Sequence, residues 1–551
     1  MSAPMELQSV PFREIPHTTE LFSAFLDDFE RVAKFYSHLP TTAGIDAAAR
    51  EVRLDPDVRK AVVEVLREQN RSFGAENQID AATRHNLERL AGGAVAIVTG
   101  QQAGLFSGPA YSFYKALSAV RCAEETTRRG IDAVPVFWIA TEDHDLAEVN
   151  HTFWNTRQGL ARYELPARDE DAGRRVGEIP LGEAVQALVT DAAKTLEGVC
   201  AEKGAAALRE CYAPTETYGS AFGKLMSRSL AGRGIIFLDP LDDRFHRLAA
   251  PILRKAVRDA GLLRDLLLKR SKELDAAGFH SQVKVTQETT LLFGTVAGRR
   301  EPVRSRGESF TLGDAVLTPG QLAESIESTP DAYSPSALLR PIVQDSLLPT
   351  AGYFGGPAEI AYLAQSQVLY QRLLGRMPSV LPRASFTFVE PAISRFLGMY
   401  DLTIRDILAG PQQVRAKMEQ KSLPGGLSSR FDEAETGLRK LLDEFRTPLE
   451  NLDATLAGAL QSTQEKILHQ FNQLRGKVGR AENFRTGVLD RHQQILFDAL
   501  YPQGGLQERT LCFLPLLAAY GPELLDEISR RCAIDAASGD SDPRDHQIIF
   551  L

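Results

Sequence analysis

The chain has 551 residues, 43% of them hydrophobic, and a formal net charge of −9 at pH 7. That is enough apolar sequence to bury a full core in more than one domain. The acidic balance, with no dense lysine/arginine block, excludes an electrostatic nucleic-acid partner, and no apolar run reaches transmembrane length. The opening MSAPMELQ lacks the basic-then-apolar order of a signal peptide, so a cytoplasmic protein is expected. The five cysteines form no C-x-x-C pair and are expected to be reduced and structural. No zinc motif is visible, and no metal ligands are assigned.

In chain order, amphipathic stretches near Leu21–Tyr36 and Pro56–Gln69 open a helical amino-terminal portion. The segment AVAIVTGQQAGLFSGP, Ala94–Pro109, follows. Val95, Ile97 and Val98 predict a short buried strand, broken at Thr99-Gly100. Pro109 suits the first position of a helix capped by Ser107 or Gly108, and Phe113, Ala116, Leu117 and Val120 recur at helical spacing. Between strand and helix, Gly100, Gly104 and Gly108 allow close backbone approach, and a helix N-terminus favours an anion. The loop therefore reads as a phosphate or carboxylate pocket with Gln101 and Gln102 as neutral hydrogen-bonders, or equally as a tight turn. It matches neither the Walker A pattern nor G-x-G-x-x-G.

A second strand-and-loop, VPVFWIATEDHD, spans Val134–Asp145. Its continuous apolar run predicts a strand covered on both faces. Glu142, Asp143, His144 and Asp145 end it, with Glu148, Asn150 and His151 close behind. A histidine among carboxylates suits general acid–base work, and the acids suit Mg²⁺; a solvated helix start is the plainer alternative. Two strands ending in such groups point to the ligand crevice of an open α/β sheet.

Downstream come a polar, alanine-rich insertion at about 152–230 and a buried strand at Ile235–Leu238. A β-rich insertion follows over His280–Leu317, and Val380-Leu381 returns to the core. The alternation predicts a parallel α/β sheet interrupted by insertions. GYFGGPA, Gly352–Ala358, echoes GLFSGPA, Gly104–Ala110. It reads as a second Gly-Pro helix entrance at Gly355 and Gly356 facing the first across a cleft, or as coincidence. Arg340 and Gln344 are placed to reach a substrate carboxylate. From about 392 to 500, Leu438, Leu441, Phe445, Leu449, Leu452, Leu456 and Ala459 form a coiled-coil seam. Ile467, Phe471, Leu474 and Val478 continue it after a stutter near Thr463, and Pro448 can begin a new helix. In the closing loop, Tyr501 could stack on a purine and Gly504 and Gly505 approach its phosphates, or the loop is a plain connection to the core.

The pairing of TGQQAGLFSGP with PVFWIATEDHDLAEVNH resembles the bacterial cysteine-adding enzyme family of bacillithiol biosynthesis. The resemblance continues through GFHSQVKV (Gly278–Val285), LLRPIVQDSLLPTAGYFGGPAEIAY (Leu338–Tyr362), PSVLPRASFTFVEP (Pro378–Pro391) and LYPQGGLQER (Leu500–Arg509). It implies a Rossmann-like core, similar to class I aminoacyl-tRNA synthetases, over 1–391, with insertions at about 152–230 and 280–330. A helical coiled-coil domain would span 392–500 and a segment returning to the core 501–551. The implied reaction joins L-cysteine to the amine of glucosaminyl malate in a homodimer, and leaves room for ATP or another adenine nucleotide and Mg²⁺. On that reading the Thr99–Gly108 loop holds an anionic group, His144 shuttles a proton to or from the amine, and Asp143 and Asp145 orient an ammonium or the metal. A metal-dependent hydrolase and a nucleotide-binding scaffold are the alternatives.

Overall fold

A computed structural model describes residues 6–421, 426–535 and 542–551. At its centre Val95–Gln101 (β1), Ala133–Ile139 (β2), Ile236–Leu238 (β3), Thr350–Gly355 (β4) and Ser379–Pro382 (β5) form an all-parallel sheet in the order β5-β4-β1-β2-β3. The chain builds outward from β1 to β3, then returns to the other side of β1 for β4 and β5. The crevice between the carboxyl ends of β1 and β4 is thus the topological switch point, where open α/β sheets bind ligands. β2 is buried along its whole length and β1 along all but its last residue, as strands sandwiched between helical layers must be.

Helix α1 (Tyr111–Arg128) follows β1 and packs on β1 and β2. It begins after Pro109, with Ala110 at the cap and no side-chain cap bond, so neither Ser107 nor Gly108 caps it. Near the amino terminus, only Glu20–Asp27 of the Leu21–Tyr36 stretch is α-helical, and two 3-10 turns complete it. The second amphipathic stretch forms the helix Pro56–Phe73, capped by Asp55.

Between β2 and β3 lie the hairpin His151–Thr156/Gly159–Glu164 and the helices Ala184–Thr195, Ala201–Cys211 and Tyr218–Ser229. Between β3 and β4 come helix α2 (Asp243–Arg258), the helix Ala260–Ala276 and a five-stranded antiparallel meander. Its last strand, Tyr333–Pro335, pairs back onto its first, Thr289–Val296. Helices α3 (Arg340–Leu347) and α4 (Pro357–Leu373) flank β4. The ends of the chain meet in a second sheet: Leu7–Val10 pairs antiparallel with His546–Phe550, which runs parallel to Ser385–Val389. Among the described residues no helix is long and apolar enough to cross a membrane.

The helical region comprises α5 (Pro411–Lys421), α6 (Leu427–Asp443), α7 (Arg446–Leu452), α8 (Leu456–Thr486) and α9 (Val488–Leu500). The seam expected to run on from Leu452 is folded back instead. The chain reverses between α7 and α8, and both α6 and α7 lie along α8. Leu438–Leu452 and Ile467–Val478 therefore belong to two antiparallel arms, joined by the Phe431–Phe471 ring contact at 5.2 Å and by Arg475 on Asp432. The helix breaks before Phe445, ahead of Pro448, and α8 runs unbroken through Thr463. Leu441, Phe445, Leu452 and Leu474 remain exposed on these arms.

Candidate active site

A cleft of about 510 Å³ opens at the carboxyl ends of β1, β2 and β4. Three strand ends supply its floor and walls: Gly100–Gln102 at the end of β1, Glu142–His144 after β2, and Gly356–Glu359 at the start of α4. Phe354 of β4 pairs with Thr99 of β1, so the two Gly-Pro helix entrances sit on adjacent strands at the switch point.

The most buried charge in the cleft is Lys115, on α1, whose side chain is 4% exposed. Its ammonium donates to the Gly100 carbonyl at 2.8 Å and to Gln101 Oε1 at 3.0 Å, and forms an ion pair with Glu359. Glu359 also accepts from the Gly356 N–H at 2.9 Å and the Tyr353 hydroxyl at 2.7 Å. Burial lowers Lys115 below the ordinary lysine value; for Glu359 burial alone would raise the carboxyl, but the Lys115 cation together with the Gly356 N–H and Tyr353 hydrogen bonds holds it low. Beside this pair Arg340 donates to the hydroxyls of Tyr353 and Tyr362, and to Gln344 at 3.1 Å. Arg383, which follows β5, is held by Glu508 at 2.6 Å. Glu508 is fully buried and also accepts from Ser385 and the Phe386 N–H. Arg509 completes the basic lining.

The opposite wall is acidic. Gln102 bridges Asp143 at 2.7 Å and Glu148 at 2.5 Å, fastening the β1 loop to the β2 loop. Burial alone would raise Asp143, but the hydrogen bonds from Gln102 and the His144 backbone N–H, with the Arg300 guanidinium nearby, hold it well below the usual carboxylate range. Arg300 reaches in from the meander, over the Phe293 ring, and its Nη1 lies 3.1 Å from His144 Nδ1. Asp143 is farther from that nitrogen, at 3.5 Å. The shorter contact assigns Nδ1 as acceptor from the guanidinium, which leaves the ring proton on Nε2. Glu142 faces the same cleft, with Asp239 beneath it at the end of β3; burial raises Asp239 to about 6, against a hydrogen bond from Thr141.

Several residues expected in the site lie elsewhere. Asp145 is exposed and does not line the cleft. Asn150 bonds the Leu165 carbonyl and His151, and His151 packs on Phe153, so both brace the hairpin. Thr99 ties β1 to the Phe354 carbonyl at 2.9 Å, Gln344 lies fully buried behind Arg340, and Gly355 packs against the Glu359 Cβ.

The Gly104–Gly108 part of the loop turns into the core rather than towards a ligand. A Cβ on Gly104 would meet the Gly108 Cα at 2.8 Å, and Gly108 has φ +66°. Phe106 and Ser107 adopt positive φ between them, held by Tyr212, whose ring lies 4.9 Å from that of Phe106. Tyr501, Gly504 and Gly505 line a separate cavity of about 330 Å³ that meets the cleft at Arg383 and Arg509.

Lys115 had a signal in the sequence, a lysine inside the apolar stripe of α1, and Arg383 follows a strand as the other site groups do. Arg300 had none, because it comes from a meander distant in sequence. The cysteines contribute no nucleophile to the cleft: burial pushes the Cys512 thiol up to about 11 and that of Cys532 to about 12. Among the described residues no group of three or more His, Cys, Asp or Glu side chains is gathered as a metal site would be.

Residues 5–384 match the family model for the bacillithiol biosynthesis BshC N-terminal Rossmann-like domain, and residues 386–533 the model for its C-terminal coiled-coil domain. The chain belongs to the bacillithiol biosynthesis BshC family. Similar proteins include one from Koribacter versatilis, 38% identical over 96% of this chain and 97% of its own length. Others are from Solibacter usitatus, 37% identical over 94% and 97%, and Salinibacter ruber, 30% identical over 96% of each. All three carry the name "Putative cysteine ligase BshC". The family's Rossmann-like part contains the whole cleft except Arg509, which the coiled-coil part contributes.

Proposed function

We propose that the protein joins the carboxyl group of L-cysteine to the amine of glucosaminyl malate, forming the amide of bacillithiol in the cytoplasm. The observation that carries this reading is the two-sided charge of the switch-point cleft in a member of this family. Arg340, Arg383 and Arg509 suit the carboxylates of a malyl group or the phosphates of a nucleotide. Glu142, Asp143 and Glu148 opposite suit the ammonium groups of cysteine and the amino sugar.

Amide formation from a free carboxylate is unfavourable in water, so the cysteine carboxyl must be activated. An adenine nucleotide held by the basic wall would supply that activation. Lys115 stays committed to Glu359 and the Gly100 carbonyl, and so shapes the β1 loop. His144, with its proton on Nε2, is set to donate to an oxygen or leaving group. The relatives' name, cysteine ligase, supports this reading and not the metal-dependent hydrolase. The exposed Leu441, Phe445, Leu452 and Leu474 support a dimer through the coiled coil.

Purified protein given labelled cysteine, glucosaminyl malate, ATP and Mg²⁺ should yield bacillithiol by mass spectrometry. Arg340→Met should slow it by roughly tenfold or more, the effect of losing a charge-assisted contact of about 1.5–3 kcal/mol. Undiminished turnover in that variant would remove the cleft from the reaction.

A further inference from the structure

Behind the acidic wall lies a histidine that the chemistry above does not use. His246, on α2, is 5% exposed. Its Nδ1 stands 3.3 Å from the Tyr333 carbonyl oxygen. A carbonyl only accepts, so Nδ1 carries the proton of the neutral ring and Nε2 carries the lone pair. Nε2 is buried and has no hydrogen-bond partner. It faces Glu142 Oε1 at 3.8 Å, and Glu142 lines the cleft. Two acceptors thus confront each other with no proton between them, which is unfavourable in an interior. One added proton converts the contact into a charge-assisted hydrogen bond.

We infer that Glu142 and His246 form a proton-accepting dyad, which takes the proton lost by the attacking amine. The inference rests on the amide-forming reading above. Glu142 is the catalytic member, because it meets the substrate; His246 is a positioning residue that receives the proton through it. In the step, the amine lone pair forms the bond to the activated acyl carbon of cysteine. The bond from that carbon to the phosphoryl-bearing oxygen breaks, and the oxygen leaves with the electron pair. The proton on nitrogen passes to Glu142 and is shared with His246 Nε2. His144 does not compete for this place while the Arg300 guanidinium occupies its Nδ1. The charged groups around the dyad are Arg300, Asp143 beside Glu142, Asp239 at the end of β3, and Asp242, which caps α2.

The dyad can be tested without turnover. In the full chain labelled with ¹³C,¹⁵N-histidine, NMR should show neutral His246 protonated on Nδ1, with its signal identified by its loss in His246→Gln. The near-isosteric Glu142→Gln should shift the protonation midpoint of His246 downwards, since it removes a neighbouring negative charge. An Nε2-protonated ring, or a midpoint unmoved in Glu142→Gln, overturns the dyad.

Where the ligase assay works, each single variant should lower kcat by about 10²-fold and leave KM for glucosaminyl malate unchanged. The double variant should be no slower than the slower single one. Independent, multiplying losses, or an effect on KM alone, overturn the dyad as well. Wild-type protein that forms no product counts against the ligase reading and not against the NMR result, so the two failures are distinguishable.

Discussion

Lys115 and Glu359 show how the cleft keeps charges in a buried setting. The ammonium has three acceptors, Gly100, Gln101 and Glu359, and the carboxylate is bonded in turn by Gly356 and Tyr353. Removing one partner from such a pair leaves the other charged and dry, which costs about 3–5 kcal/mol. Glu359→Ala should therefore lower the unfolding free energy by that amount in urea titrations. Adding Lys115→Met to it should recover much of the loss, because the stranded cation is gone. If the double variant is the less stable of the two, the pair is not the source of the cost. The same pairing explains why Lys115 escaped notice from sequence: a lysine in an apolar helix stripe is conspicuous, but its partner lies on a helix entrance far along the chain.

At the scale of elements, the loop after β1 divides into two parts with different jobs. Gly100, Gln101 and Gln102 face the cleft, whereas Leu105, Phe106 and Ser107 are buried. Two adjacent non-glycine residues in the left-handed region cost of the order of 1–3 kcal/mol each, and the packing of Phe106 with Tyr212 and Trp154 offsets that strain. Gly104→Ala would force Gly108 aside, an overpacking cost of about 1–3 kcal/mol. It should lower the melting temperature with little effect on substrate KM; a KM rise at unchanged stability would restore the anion-pocket reading of this half.

The strands and the Gly-Pro echo were legible because apolar runs that end in polar residues mark the carboxyl ends of a parallel sheet. Side-chain direction was not. Asn150 and His151 carry suitable chemistry, but the hairpin that begins at His151 turns them away from the cleft. The hydrophobic spacing from Leu438 onwards was real as well, yet spacing alone does not reveal where a seam folds back on itself.

Across the whole molecule, the ends of the chain support the cleft from behind. His546 of the last strand bonds Ser385 and Thr387, and Ser385 bonds Glu508, which holds Arg383. Burial pushes the His546 imidazole down to about 4, while the unfolded chain titrates near the ordinary histidine value of 6.5. Between those values the unfolded state binds the extra proton. The contribution of the neutral buried ring should therefore be present above pH 6.5 and be lost, by about 3 kcal/mol, as the pH drops towards 4. His546→Gln should flatten that limb in urea titrations at a series of pH values; an unchanged limb would assign the acid loss to other groups.

The central claim is that the switch-point cleft is where cysteine is added to glucosaminyl malate. It is tested most directly in a bacterial host that makes bacillithiol but lacks its own cysteine-adding enzyme and accumulates glucosaminyl malate. Expression of the wild-type chain should restore bacillithiol, measured by thiol labelling and mass spectrometry, while folded Arg340→Met and Glu142→Gln variants should leave glucosaminyl malate unconsumed. A wild-type chain that restores nothing, or cleft variants that restore as much as wild type, would contradict it.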